Sequence, residues 1–196
     1  MRSISFDFDG TLVDTNELKA AVFNHMLTKY NVEILPSQNL VSISRVELVR
    51  VLRGSNSGRT SEQFSAELDS LVAAIYTQSK VIPEASDFVW KMLQLGAFKI
   101  GIVSANPENE LRKYVRQCFP EVNFDFILGK PSSKLEHIEA FRPKGEVWHI
   151  GDGPDDYEVI TNSKFKGFLV GQHPLMKTHR KFSWSEISKF FLEMVV

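Results

Sequence analysis

ISFDFDGTLVDT, residues 4–15, alternates apolar and polar positions and then runs into a turn. Ile4, Phe6 and Phe8 recur with a period of two, the spacing of one face of a strand. Asp7 and Asp9 fall on the opposite face. Carboxylates are costly to bury, so these two either serve a purpose or reach water at the strand's end. Gly10 lets the chain turn sharply at that edge. A single Asp-Gly pair is ordinary turn chemistry, so its meaning depends on the rest of the chain.

Working outward, FKIGIVS (98–104) and EVWHIGD (146–152) read as buried strands, with FDFILG (124–129) and KGFLVG (166–171) as further candidates. Between them lie helical patterns: SDFVWKMLQLG (86–96), ENELRKYVRQCF (108–119), KLEHIEAF (134–141) and SWSEISKFFLEM (183–194). In the first of these Phe88, Val89, Met92 and Leu93 keep helical spacing, and Gly96 is a stop signal. Strands alternating with helices imply parallel strands with helices on both faces. From about Asn16 to Ser79 no strand pattern occurs. ELKAAVFNHMLTKY (17–30), SRVELVRVLRG (44–54) and SEQFSAELDSLVAAIYTQS (61–79) read as amphipathic helices, separated by VEILPSQN and GSNSGRTS. The fold class expected is α/β: a Rossmann-like parallel sheet sandwiched by helices, with a small all-helical insertion after strand 1. The expected domains are 1–15 with 80–196, and 16–79.

The bulk numbers narrow the function classes. The chain has 196 residues, 43% hydrophobic and 24% charged, with a net charge of −1. That is an ordinary globular balance, and it gives no electrostatic case for nucleic acid or an anionic membrane as the main partner. One cysteine, Cys118, rules out an intrachain disulfide framework and fits a reducing compartment. MRSISFDFDG lacks the apolar core of a secretory signal, and no run reaches the length of a membrane span. The expectation is a cytoplasmic protein, a monomer or weak homodimer.

In an open α/β sheet, ligands sit beyond the carboxyl ends of the strands. The first strand ends in Asp7, Phe8, Asp9, Gly10 and Thr11, the second in Ser104, Ala105 and Asn106, and a later one in Gly151, Asp152, Gly153, Pro154, Asp155 and Asp156. If these strands are adjacent, several carboxylates, a hydroxyl and a nearby lysine share one crevice. Carboxylates that close repel and raise one another's proton affinity. A hard divalent cation relieves this, and Mg²⁺ favours carboxylate oxygens plus water.

These residues carry a resemblance. DFDGTLVDT resembles the first signature of the haloacid dehalogenase-like hydrolase superfamily, IVSAN (102–106) its second, and IGDGPDD (150–156) its fourth, in the family's order and over nearly the whole chain. The helical insertion resembles the family's type-one cap, and phosphoglycolate phosphatase-like members resemble the layout most. The resemblance implies an Mg²⁺-dependent phosphomonoester hydrolase acting on a small phosphorylated metabolite. Asp7 would be the nucleophile that forms an aspartyl-phosphate, and Asp9 the general acid and then base. Asp7, the main-chain carbonyl of Asp9, and Asp152 would hold the Mg²⁺, with Asp156 supporting the metal or a lysine. Ser104, with the amides of Ala105 and Asn106 ahead of the next helix and Gly10 at the turn, would meet the phosphoryl oxygens.

The family's lysine is ambiguous in ILGKPSSKLEHI. Lys130 precedes Pro131 in the KP form of many relatives, while Lys134 opens the pattern KLEHIEAF and could reach back to the strand ends. The register favours Lys134. Among Arg45, Arg50, Arg53 and Arg59 in the insertion, Arg45 is the first choice for clamping a second anionic group, against the ordinary fate of a solvated helix face. Asp14 reads as a cap for the helix near Asn16. His25, His137, His149, His173 and His179 show no metal-ligand spacing, and His149 reads as core or as support behind the site. Trp90 and Trp148 read as packing, Trp184 as packing or surface, and HPLMKTHRKF (173–182) as a solvated basic loop. Two other activities share the same residues: a phosphomutase of the β-phosphoglucomutase type, and a binding or regulatory relative without turnover. A dehalogenase fits less well, since that chemistry does not call for Asp9 and a metal.

Overall fold

The computed structural model describes residues 2–33, 40, 43, 45–55, 57–141, 145–162, 165–171 and 173–195. The chain opens with β1 (Arg2–Phe6) and the short β2 (Val13–Asp14). Among the described residues α1 (Asn16–Lys29), α2 (Arg45–Arg53) and α3 (Ser61–Gln78) follow, and then β3 (Lys80–Val81). The remainder alternates: α4 (Pro83–Leu95), β4 (Lys99–Pro107), α5 (Glu108–Cys118), β5 (Phe126–Lys130), α6 (Lys134–Phe141), β6 (Glu146–Gly151), α7 (Pro154–Thr161), β7 (Lys166–Leu169), a 3₁₀ turn at Pro174–Met176 and α8 (Trp184–Glu193). The chain divides into two units, Met1–Asp14 with Lys80–Val196, and Thr15–Ser79.

In the first unit the sheet order is β5–β4–β1–β6–β7, with every pairing parallel. Parallel strands need crossovers, and the helices supply them. This order sets β4 and β6 on either side of β1, so the three strands with polar ends are neighbours. Register decides which face each residue occupies. Ile4 pairs with Ile100 and Trp148, and Phe6 with Ile102 and Ile150. That face is packed by α8, whose fully buried Phe191 meets the rings of Phe88, Phe98, Trp148, Phe168 and Phe190 at 5.3–6.0 Å. Trp184 packs at 5.7 Å from Phe88. On the opposite face Val103 and Val147 join Ile138 of α6, Val159 of α7 and Phe165 in a second cluster. Ser5, Gly101 and His149 lie side by side on that second face.

The second unit packs α1, α2 and α3 through buried Phe23, Met26, Leu48, Leu52, Phe64 and Leu68. A capping box starts α3: the Thr60 side chain accepts from the Gln63 amide, and the Gln63 side chain accepts from the Thr60 amide. Beside it Arg59 and Lys29 both meet the Glu67 carboxylate, at 2.9 and 2.7 Å, and Tyr30 donates to it at 2.6 Å.

Several expectations are corrected. Asp14 does not cap α1: it lies in β2 and pairs with Lys80, while Thr15 stands at the cap position and its side chain makes no capping hydrogen bond to the helix. α4 begins three residues before Ser86, because Pro83 at its first turn needs no hydrogen-bond acceptor for a missing N–H. Gly96 ends it in the left-handed region, φ 62°. Trp90 is 39% exposed: Phe88, Val89 and Met92 take the inward stripe of α4, and position 90 falls outside it. Most of the separator VEILPSQN lies outside the described residues. Among the described residues no helix is long and apolar enough to cross a membrane.

Phe191 fixes α8 onto the sheet, so Phe191→Ala is expected to cost about 3–5 kcal/mol. Urea denaturation reads this as a lower midpoint at unchanged slope.

Candidate active site

Asp7 follows the last residue of β1, and its amide donates to the Ile150 carbonyl of β6 at 2.8 Å, so the backbone stays in the sheet up to the carboxylate. Beyond it the chain folds back at once. The amides of Leu12 and Val13 donate to the Phe8 carbonyl at 3.0 Å, and Gly10 takes φ 75°, a conformation that glycine adopts without strain. β2 and β3 then form an antiparallel pair. This two-stranded ladder is absent from the expectations, because two-residue strands carry no periodic signal.

The acidic residues of β1 and β6 come together. Carboxylate oxygens of Asp7, Asp152 and Asp156 lie within 4.8 Å of one another, and all three residues are buried. Of the two candidate lysines, Lys134 enters this cluster. Its Nζ lies 2.9 Å from Asp7 Oδ1 and 2.6 Å from Asp156 Oδ1, and the residue is 7% exposed. Lys130 is exposed at the end of β5. Lys134 reaches the cluster because it is the first residue of α6, which packs against β4 and α7.

The electrostatics follow from burial. Burial pushes the Asp7 carboxyl well above the ordinary range; Lys134 opposes this, and Asp156, Asp152 and Asp9 add to the rise. For Asp156 burial also works upward, but Lys134 and His149 override it and hold the group far below the ordinary range. For Lys134 burial favours loss of the proton, and Asp156 and Asp7 outweigh it, so the ammonium is held more firmly than in water. Lys134 and Asp156 are thus the settled ion pair, and Asp7, although it also meets Lys134, is pushed toward its protonated form.

Ser104 is 2% exposed on β4. Its Oγ accepts from both the amide and the Nδ2 of Asn106, each at 3.3 Å, which leaves its own hydroxyl hydrogen to point elsewhere. Ala105 and Asn106 stand ahead of the next helix, in the last residues of β4. β4 runs on to Pro107, with a register shift against β5, and α5 starts at Glu108. The Asn106 amide turns inward to Ser104, and its side chain donates to Asp9 Oδ2 at 2.7 Å. Ala105 is exposed. Arg45 opens α2 in the helical unit, where Nη1 meets Asp69 Oδ1 at 3.2 Å.

Three features escaped the sequence reading. Thr11 donates to Asp152 Oδ1 at 3.3 Å. His173 is 5% exposed, not solvated; its Nδ1 accepts from the Leu175 amide, and burial lowers its proton affinity. Lys181 donates to the Gly171 carbonyl at 2.8 Å beside a groove of about 490 Å³ that Gly10, Ile82 and Trp184 also line. The first had a signal, a hydroxyl two residues after Asp9. The other two lie in a run of basic residues, where composition suggests only solvent.

Comparison with known proteins agrees with this geometry. The family model described as haloacid dehalogenase-like hydrolase matches residues 4–170. A predicted phosphatase from Clostridium acetobutylicum superposes with a TM-score of 0.74 at 18% identity, covering 98% of each chain. A predicted phosphoglycolate phosphatase from Haemophilus somnus gives 0.68 at 14% identity, covering 96% of this chain and 97% of its own. A mutant of CbbY from Rhodobacter sphaeroides, in complex with xylulose-1,5-bisphosphate, gives 0.69 at 15% identity, covering 94% and 95%. These likenesses are of fold. No curated protein sequence matches the chain.

Lys134 compensates two buried carboxylates, so Lys134→Met is expected to cost about 3–5 kcal/mol near pH 7.5. The sign with pH follows from Asp156, whose folded proton affinity is depressed. Its contribution is present above the unfolded value of about 4 and is lost below it. Without Lys134 the carboxylates take up protons at higher pH, so the deficit should shrink on acidification toward about pH 4.5. Urea titrations of both proteins at the two pH values test this; an equal deficit at both would contradict it.

Proposed function

The chain belongs to the haloacid dehalogenase-like hydrolase family, and on that premise we propose that it is a phosphatase that hydrolyses a small phosphorylated metabolite through an aspartyl-phosphate on Asp7. The observation that carries this reading is the buried Asp7 carboxylate at the end of β1, held 2.9 Å from Lys134 and beside Asp152. Similarity to a predicted phosphatase and to a protein in complex with a sugar bisphosphate supports the substrate class.

The donor set suits a divalent cation. Of three buried carboxylates two share one lysine, and the proton affinity of Asp7 is raised by burial and further by Asp156, Asp152 and Asp9. Hard oxygens of this kind suit Mg²⁺. Asp7, Asp152 and the main-chain carbonyl of Asp9 would hold the ion, and when bound it would neutralise phosphoryl charge and orient the ester. Asp156 has both oxygens engaged by other donors, so its part is to hold Lys134.

The reaction divides into two displacements. An oxygen of Asp7 attacks phosphorus, the ester P–O bond breaks, and Asp9 gives its proton to the departing alkoxide. Asp9, now a carboxylate, takes a proton from water as that water attacks the acyl phosphate. The P–O bond to Asp7 breaks, releasing inorganic phosphate and restoring the carboxylate. Lys134 faces the charge that builds on the phosphoryl oxygens, and Ser104 donates its hydroxyl hydrogen to one of them. Asn106 holds the Asp9 carboxylate between turnovers. Within this reading the helical unit is a cap that selects the substrate, and Arg45 is its candidate anion clamp.

A panel of phosphate monoesters assayed with the purified protein tests this. Inorganic phosphate should be released with Mg²⁺, cease in excess EDTA and return when Mg²⁺ is restored. Asp7→Asn should lower kcat by about 10³-fold or more, since the nucleophile is gone. Full activity in that variant would overturn the mechanism. Interconversion of sugar phosphates without phosphate release would point to the mutase instead.

A further inference from the structure

Behind the acidic cluster lies a polar pair that the mechanism above does not use. Ser5 of β1 and His149 of β6 are register partners in mid-sheet, and both are fully buried. Ser5 Oγ lies 2.9 Å from His149 Nδ1, and His149 Nε2 lies 2.8 Å from Asp156 Oδ1. A carboxylate oxygen only accepts, so Nε2 carries the ring hydrogen and donates it to Asp156. In the neutral ring Nδ1 is then the bare nitrogen, and it accepts the hydroxyl hydrogen of Ser5. The second contact of Ser5, 3.2 Å to the Trp148 carbonyl, is the longer one.

These bonds complete the surroundings of Asp156. Its Oδ1 receives His149 and Lys134, at 2.8 and 2.6 Å, and its Oδ2 receives the Gly153 amide at 3.0 Å. Gly151 makes room for the carboxyl, since a Cβ there would stand 2.1 Å from Asp156 Cγ. Apolar residues at 5 and 149 would serve folding at least as well, because a buried polar pair contributes little net stability over a well-packed apolar one. What they would lose is the second donor on Oδ1. The carboxylate could then rotate about its last torsion, and Lys134 would follow it.

We propose that Ser5 and His149 form a buried relay that fixes the Asp156 carboxylate, and that His149 is thereby a positioning residue for Lys134. The order of action is Ser5 setting the tautomer, His149 pinning Asp156, and Asp156 aiming the ammonium at Asp7. The consequence for turnover rests on the phosphatase reading; the hold on Lys134 does not.

The test reads both. His149→Leu removes the donor, and His149→Gln keeps an N–H near the Nε2 position. Trace acetylation with acetic anhydride, followed by mass spectrometry of the Lys134 peptide against exposed lysines of the same chain, measures how firmly Lys134 is held. Labelling should be slow in the wild type and in His149→Gln, and about tenfold faster in His149→Leu. Hydrolysis should show the same ranking: kcat about 10–100-fold lower in His149→Leu with KM little changed, and within several-fold of wild type in His149→Gln. Wild-type labelling in folded His149→Leu would overturn the relay, as would equally fast labelling in both variants, which marks a packing role. If His149→Leu does not fold, Ser5→Ala is read in the same way: faster labelling of Lys134 supports the relay, and wild-type labelling overturns it. A wild-type protein that hydrolyses no phosphate ester would sink the phosphatase reading while the labelling result still decides the relay.

Discussion

One buried ammonium holds the candidate site together. Lys134 lies 2.9 and 2.6 Å from two of three clustered carboxylates, those of Asp7 and Asp156, and each of the three acids is at most 5% exposed. Isolated charges at such burial would be prohibitively costly. The geometry is tolerable because the first residue of α6 lies where the ends of β1 and β6 converge, so one positive charge serves two acids at once. Everything else about the site follows from the residual imbalance. Asp156 is satisfied by its donors; Asp7, buried and crowded by Asp152, Asp156 and Asp9, keeps a raised proton affinity, and a hard cation is the chemistry that such crowding invites.

Much of this was legible because the acids sit at strand ends and the strands are adjacent. Period-two patterning in residues 4–8 and 146–151 located the strands, and the polar runs after them located the rim. The order β4–β1–β6 then did what a switch-point crevice requires. Lys134 was harder, since Lys130 keeps the KP form of many relatives and only the register of the helix that follows favoured Lys134. The inward turn of the Asn106 amide to Ser104 Oγ was not legible, because it depends on β4 persisting to Pro107 before α5 starts.

His149 was read as core or as support behind the site, but its pairing with Ser5 was hidden for a different reason. A serine and a histidine on alternating strands look like ordinary variation, and their meaning appears only when register brings them to the same level of adjacent strands. His173 was misjudged because its neighbours are basic and exposed, while the residue itself turns in beside Gly153. Periodicity reports which face a residue takes. It does not report which residue from a distant strand will stand next to it, and that is where polar networks are decided.

The short ladder of Val13–Asp14 against Lys80–Val81 has an implication for how this architecture can change over time. It clamps the two points where the polypeptide departs from the sheet-bearing unit and comes back, at neighbouring residues. The entropy cost of joining two such points grows only with the logarithm of the intervening length, about 0.6 kcal/mol for each doubling. Helices could therefore be gained, lost or exchanged between Thr15 and Ser79 with little penalty to the catalytic half, provided the clamp survives. If the helical unit selects the substrate, diversity in that choice can accumulate in one stretch of the gene while the acidic rim stays as it is.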